Sequence, residues 1–418
     1  MMKYLKLFES FNEEDIHSIC KRYGIRNYTI NEDGSIDVDG DVNLSEKELT
    51  KLSLKFNKVN GYFNCSWNKL TSLENCPKEV GGNFYCHRNK LASLEWCPEK
   101  IGGGFYCNDN ILTSIENVPK EINGNFNCSW NKLSSLKGCP KEVKGGFFCS
   151  YNNLISFDEV VKEIGGDFEC HNNLLTSLNR CPEKINGDFY CNDNKLISLE
   201  GCPEKIGGNF YCNYNLLTSL NGGPKQVKYD FNCYNNQLTS LSGCPKEING
   251  NFNCSDNKLT SLEDCPEKIN GNAAFDNNNL TSLEGNLKEV GGYFVFYNNN
   301  LISLKGCPEK VGDEFYCSNN LLTSFEYCPK NIYGDFDCHD NKITSFDHLP
   351  FSIGGNFNCK GNPIYEIWKL FKDYDRIDFF NDCDPIREPN IIILDRLNFF
   401  LEKIGKSPVS KVKGYKCI

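Results

Sequence analysis

From Cys65 to Cys359 the chain repeats itself every 21 residues without an insertion or deletion. Thirteen of the fifteen rungs are Cys, and the other two are Phe275 and Phe296. Asn stands three residues after every rung, from Asn68 to Asn362. Phe stands two before in fourteen cases, Leu or Ile five after in all, and Val or Ile fifteen after in every completed repeat. A period of this length means that each unit buries its apolar face only by stacking on the next. It overrules the two or three globular domains that 418 residues would otherwise suggest.

One repeat reads GGNFYCHRNKLASLEWCPEKI, Gly81 to Ile101. Phe84 and Cys86 alternate at period two, which predicts a short strand with both side chains on one face. Asn89 follows where the chain turns out, and stacked Asn side chains are expected to bond backbone groups left open inside that turn. Leu91 and Leu94 then enter the core. Cys97-Pro98 begins a return that is extended or opens with one short helical turn. Ile101 closes the core, and Gly102-Gly103 allows the bend into the next strand.

Two cysteines and a histidine in one repeat raise the question of a metal site. Cys is also a small buried hydrophobe, and the substitutions on its columns favour that reading: Phe275 and Phe296 on the first, Val118, Val160 and Leu349 on the second. In the repeat that reads Ala273-x-Phe275, bulk lost at one core position reappears at the other. Cores accept such exchanges and metal ligands do not. His87, His171 and His339 share a column but stand four and eight repeats apart, roughly 19 and 38 Å at strand spacing. Parallel Cβ vectors on neighbouring rungs suit disulfides poorly. We therefore expect no metal and no cofactor.

The pattern, with Phe and Cys in its first two apolar slots, resembles the leucine-rich repeat L-x-L-x-x-N-x-L. The short period and the Pro on the return resemble the bacterial YopM-like and IpaH-like effectors, over residues 61–361. The resemblance implies an α/β leucine-rich repeat solenoid: a right-handed superhelix, a parallel β-sheet on its concave face, an irregular or extended convex return, and helical caps at both ends. We divide the chain into an N-terminal cap (1–39, helix plus hairpin), a solenoid (40–361, its first repeat degenerate) and a C-terminal helical cap (362–418). NEEDIHSICKRYGI reads as a helix with Asn12 as N-cap, Gly24 as stop and Ile16, Ile19 and Cys20 as its apolar stripe. YTINEDGSIDV reads as a hairpin turning at Asp33-Gly34. IYEIWKLF and NIIILDRLNFFLEKIG show helical periods. The wording of the ends also resembles leucine-rich repeat proteins of large tailed phages and their hosts.

The net charge of −10 argues against nucleic acid and anionic membrane as partners. No apolar run approaches a membrane span, and the opening MMKYLKLFESF lacks the core of a secretory signal. With 25 Cys, we expect a monomer in a reducing compartment, the cytoplasm, which is the host cytosol if the chain is phage-encoded. Leu7-Phe8-Glu9-Ser10 resembles the cleavage motif of phage capsid-targeting peptides, which implies packaging in the virion as a further reading. Cys383-Asp384 lacks the motif of the effector-type ubiquitin ligases, so no enzyme and no catalytic residue is expected. Function is then expected where the repeat varies. On the face flanking Phe and Cys these positions hold Trp67, Tyr85, His87, Tyr106, Trp130, Tyr151, Tyr190, Tyr211, Tyr214 and Tyr234. Rigid aromatics among Asn, Ser and Asp resemble a protein-binding surface, here for a partner with a basic patch. The same rows also suit a glycan.

Overall fold

The computed structural model describes residues 13–370, 386–388 and 391–418. Asn12, the motif around Glu9 and Cys383 lie outside them. The chain divides into two compact units, Met1–Lys195 with Gly201–Gly207 and Leu196–Glu200 with Gly208–Ile418. Each is a parallel-strand solenoid.

In the first unit the Phe-containing strands stack in register from Val42–Asn43 through Phe63–Asn64 to Phe189–Tyr190. In the second they run from Phe210–Tyr211 to Phe357–Asn358. The return is extended, and it adds a second set of two-residue parallel strands ending in the Val/Ile column, such as Glu79–Val80 on Lys100–Ile101 and Lys268–Ile269 on Glu289–Val290. The glycines between the two strands serve a purpose other than the expected backbone freedom. A Cβ on Gly81 would lie 2.1 Å from the Asn60 carbonyl oxygen, and one on Gly102 would lie 2.1 Å from that of Gly81. Neither has a positive φ, so glycine is needed for the close approach of successive coils.

The Phe column is buried from Phe63 to Phe336 and half-buried at Phe357, with ring centroids of Phe84, Phe105, Phe126 and Phe147 spaced 5.3, 5.7 and 5.2 Å apart. Where Ala273 interrupts it, Phe275 takes the gap: its ring lies 5.5 Å from Phe252 and 6.1 Å from Phe294. Each Asn of the ladder works twice. The Asn89 side-chain amide donates to the Cys65 and Cys86 carbonyls at 3.0 and 3.1 Å, and its Oδ1 accepts the Leu70 N–H at 2.9 Å.

The described cysteines are all free and mostly buried. Burial pushes thiols such as Cys86 and Cys170 well above the usual range, so these thiols are protonated and unreactive. Replacing Cys191 with Val is therefore expected to cost less than about 1.5 kcal/mol. Melting curves of parent and variant, with and without reductant and chelator, check this. Reductant- or chelator-dependent stability would refute packing as the reason for these residues.

Glu13–Tyr23 is helical, with Ile16 and Cys20 buried, and it stops at Gly24 (φ 69°), where the Ile25 N–H reaches the Cys20 carbonyl at 2.9 Å. Tyr28–Ile30 and Ile36–Val38 form an antiparallel hairpin, and Ile36–Val38 continues in parallel onto Phe56–Val59. At the other end only Tyr365–Trp368 of IYEIWKLF is helical among the described residues, and Trp368 meets the Phe357 ring edge-on at 5.0 Å. The run NIIILDRLNFFLEKIG departs from its helical reading. Ile391–Ile392 is a strand between Ile386–Glu388 and Lys416–Cys417, and the helix is Leu394–Lys403. Consecutive β-branched side chains favour the extended backbone once partners are present.

Candidate binding face

Three columns leave each Phe-x-Cys strand, and the fold treats them differently. The one between Phe and Cys holds Tyr85, Tyr106, Tyr190 and Tyr211, all half-buried. The one just after Cys is less accessible than its polar sequence suggests: Ser66, Ser150 and Asn213 are buried, while His87, His171 and Tyr234 are half-buried. The third column is the exposed one. Trp67 is 48% exposed, Trp130 53%, Tyr151 37% and Tyr214 43%.

This third column turns the chain so that the following Asn can fold back under the strand. It does so with a left-handed residue in every repeat, at φ 50–55° wherever that residue is not glycine. Asn or Asp fills most of these positions, including Asp109, Asn172, Asp193, Asn235, Asp256 and Asn298, and Gly361 fills the last. These residue types tolerate this conformation, which costs other L-residues roughly 1–2 kcal/mol. Trp67, Arg88, Trp130, Tyr151 and Tyr214 depart from that rule at the same φ.

The departures come as groups. In the first unit the Arg88 guanidinium lies 3.9 Å over the Trp67 ring, and its Nε donates to Asp109 Oδ2 at 3.2 Å. Trp130 stacks on Tyr151 with centroids 3.8 Å apart and planes 12° from parallel. Tyr151 meets His171 edge-on at 5.4 Å, and His171 Nδ1 bonds Ser150 Oγ at 2.8 Å. Tyr85 stacks on Tyr106 at 4.9 Å, with His87 edge-on to Tyr85 at 6.1 Å. Burial lowers the His87 pKa against the pull of Asp109, so the ring is neutral at pH 7, and its Nδ1 is buried without a hydrogen-bond partner. The Tyr190 hydroxyl donates to Asp188 Oδ2 at 2.9 Å. In the second unit Tyr214 and Tyr234 meet edge-on at 4.9 Å.

Nine of the ten residues singled out from the sequence thus fall into three ring clusters and a cation–π pair, with Tyr190 tied to an aspartate, and the tenth, Tyr211, is half-buried in the column between Phe and Cys. Sequence reasoning missed Arg88 and His171 as members of these groups. It also missed a second polar ladder at the strand entrance, where Asn83, Asn125 and Asp167 accept the N–H of Gly104, Gly146 and Asp188 through Oδ1 at 2.7–2.8 Å. The signal was there, since Asn or Asp recurs three residues before the rung. Nearby Glu169 has its pKa raised by burial and by Asp167 and Asp188. Along the return, Lys and Glu pair between repeats, as in Lys100 with Glu79 at 2.6 Å and Lys184 with Glu163. These pairs are exposed and worth little.

Register, Asn ladder and paired strands define a leucine-rich repeat solenoid. Among solved structures the chain is similar to YopM from Yersinia enterocolitica WA-314 (TM-score 0.51, 21% identity, covering 77% of this chain and 78% of that one). It is also similar to YopM from Yersinia pestis, described as a leucine-rich effector protein (TM-score 0.50, 20% identity, covering 76% and 88%). At these identities the likeness shows the fold alone. The InlJ domain from Listeria monocytogenes, described as including a cysteine ladder, aligns at TM-score 0.40. No family model and no curated protein matches the sequence.

Proposed function

We propose that this chain is a non-enzymatic scaffold that binds a protein partner through the exposed rings on the strand face of its first unit, chiefly Trp67, Trp130 and Tyr151, with Tyr214 exposed on the strand face of the second. One observation carries this reading. Large aromatic residues occupy a left-handed position that Asn or Asp fills elsewhere at lower cost, and they stay exposed there. Strain kept where ring contacts do no more than offset it is a mark of a functional surface, and Trp and Tyr dominate binding energy at interfaces. The partner carries a basic patch that meets Asp109, Asp193 and the acids around Glu169. A chain with one ladder of buried thiols and a second that is mostly half-buried suits a reducing compartment such as a cytosol. The resemblance of the ends to proteins of large tailed phages supports a partner in an infected host.

The test replaces Trp67, Trp130, Tyr151 and Tyr214 together with Asn. Lost ring contacts and relieved backbone strain are comparable, at roughly 1 kcal/mol per site, so the melting temperature is expected to change little. Partner retention on immobilised protein should fall about 100-fold or more, and binding by the parent should weaken with salt. Equal retention of a protein partner by parent and variant overturns the assignment. So does a parent that retains a purified glycan in place of protein.

A further inference from the structure

The strand face of the second unit holds a separate hollow of about 500 Å³, lined among others by Tyr297, Tyr316, Asp335, Asp337, His339 and Asn358. Its lining includes two carboxylates and no Lys or Arg. Asp335 Oδ1 is occupied by the Asn356 backbone N–H at 2.6 Å and the Asn356 amide at 3.1 Å, which leaves Oδ2 of Asp335 open among the described residues. Asp337 is fixed by the His339 N–H and ring Nδ1 at 3.0 and 2.6 Å, and its Oδ2 meets the Asn358 amide at 3.3 Å. Both carboxylates are therefore held in place before anything binds. Burial, then Glu314, Asp335, Asp337 and Asp313 in that order, raise the pKa of the Tyr316 hydroxyl, so four acids act on this part of the wall.

We propose that this hollow receives an arginine side chain of a basic protein partner, its guanidinium bonded to Asp335 and Asp337 and its flat face against Tyr297 and Tyr316. The proposal rests on the protein-partner reading above and names one point of that contact. A planar, weakly hydrated cation with a fork of donors suits preset carboxylates beside aromatic rings better than the compact, strongly hydrated ammonium of lysine. A neutral sugar would gain nothing from the charge of the two carboxylates. Among the described residues no three His, Cys, Asp or Glu side chains converge to hold a metal ion, which leaves an organic cation as the fitting charge.

The probe is the blocked peptide Gly-Gly-Arg-Gly-Gly, with citrulline and lysine counterparts, titrated calorimetrically into the full chain. The arginine peptide should bind about tenfold or more tighter than the citrulline peptide, and Asp335→Asn should remove about that factor, as expected for a charge-assisted pair. Asp337→Asn should do the same. Because Asp337 also holds His339, loss of Tyr316 ring-signal perturbation by NMR in Asp335→Asn provides an independent readout if Asp337→Asn folds poorly. Equal binding of arginine and citrulline peptides, no binding of either, preference for the lysine peptide, or binding unaffected by Asp335→Asn overturns the proposal. The variant with Asn at Trp67, Trp130, Tyr151 and Tyr214 should still bind the peptide. A failed ring assignment is thereby separated from a failed arginine site.

Discussion

Phe126→Ala is expected to cost about 3–5 kcal/mol, and adding Cys128→Phe is expected to recover most of that loss. Phe126 is fully buried between the rings of Phe105 and Phe147, so truncation leaves a ring-sized void in a close-packed stack. Cys128→Phe alone overfills the same layer and should cost roughly 1–3 kcal/mol. Together the two changes reproduce the arrangement at Ala273 and Phe275, where the displaced ring meets Phe252 and Phe294 at 5.5 and 6.1 Å. The double variant should therefore lie within about 1.5 kcal/mol of the parent, as volume-conserving core exchanges do, which corresponds to a large favourable coupling energy. Urea denaturation of all four species, with hydrogen exchange of the repeat as a local check, measures it. Additive losses would mean that the exchange at Ala273 depends on its own neighbours rather than on volume.

Asn194→Ala should remove support from several backbone groups at once. Its amide donates to the Cys170, Cys191 and Asn192 carbonyls, each at 3.1 Å, and its Oδ1 accepts the Leu175 N–H at 3.0 Å. Each group left stranded in the interior costs roughly 1–3 kcal/mol. Asn194→Asp separates donor from acceptor. Its carboxylate still accepts from Leu175 but faces two cysteine carbonyls with charge instead of N–H, which should raise its pKa in the folded state. That variant should be destabilised at least as much as Asn194→Ala at neutral pH. It should regain stability as pH falls through the raised pKa, because the folded state then binds the extra proton. A parent-like melt for Asn194→Ala would show the ladder to be dispensable.

Much of this was legible before any coordinates. A period without gaps fixes which residues share a column, so the Phe core, the buried Cys column and the Asn turn follow from stacking alone. The exchange of bulk between Ala273 and Phe275 pointed to packing as the reason for the cysteines, and the ring positions bear this out. The candidate surface was legible only as composition. Periodicity says that Trp67, Tyr85 and His87 flank the strand. It does not say that Trp67 is open while His87 is half-buried with its Nδ1 sealed in.

The sequence by itself determined the repeat unit, its register and its core, because those depend on residues spaced a fixed distance along the chain. Only the tertiary structure decided which varying residues meet solvent, which rings stack and which carboxylates stay open. Those outcomes depend on the left-handed φ after each strand, on the second set of strands along the return, and on contacts between residues 21 apart, such as Trp130 with Tyr151. The same holds for Ile391–Ile392, whose side chains carry a helical period but whose backbone N–H and C=O groups find strand partners in Ile386–Glu388 and Lys416–Cys417. Hydrogen-bond partners supplied by distant residues override a local pattern whenever they satisfy the backbone better than the pattern can.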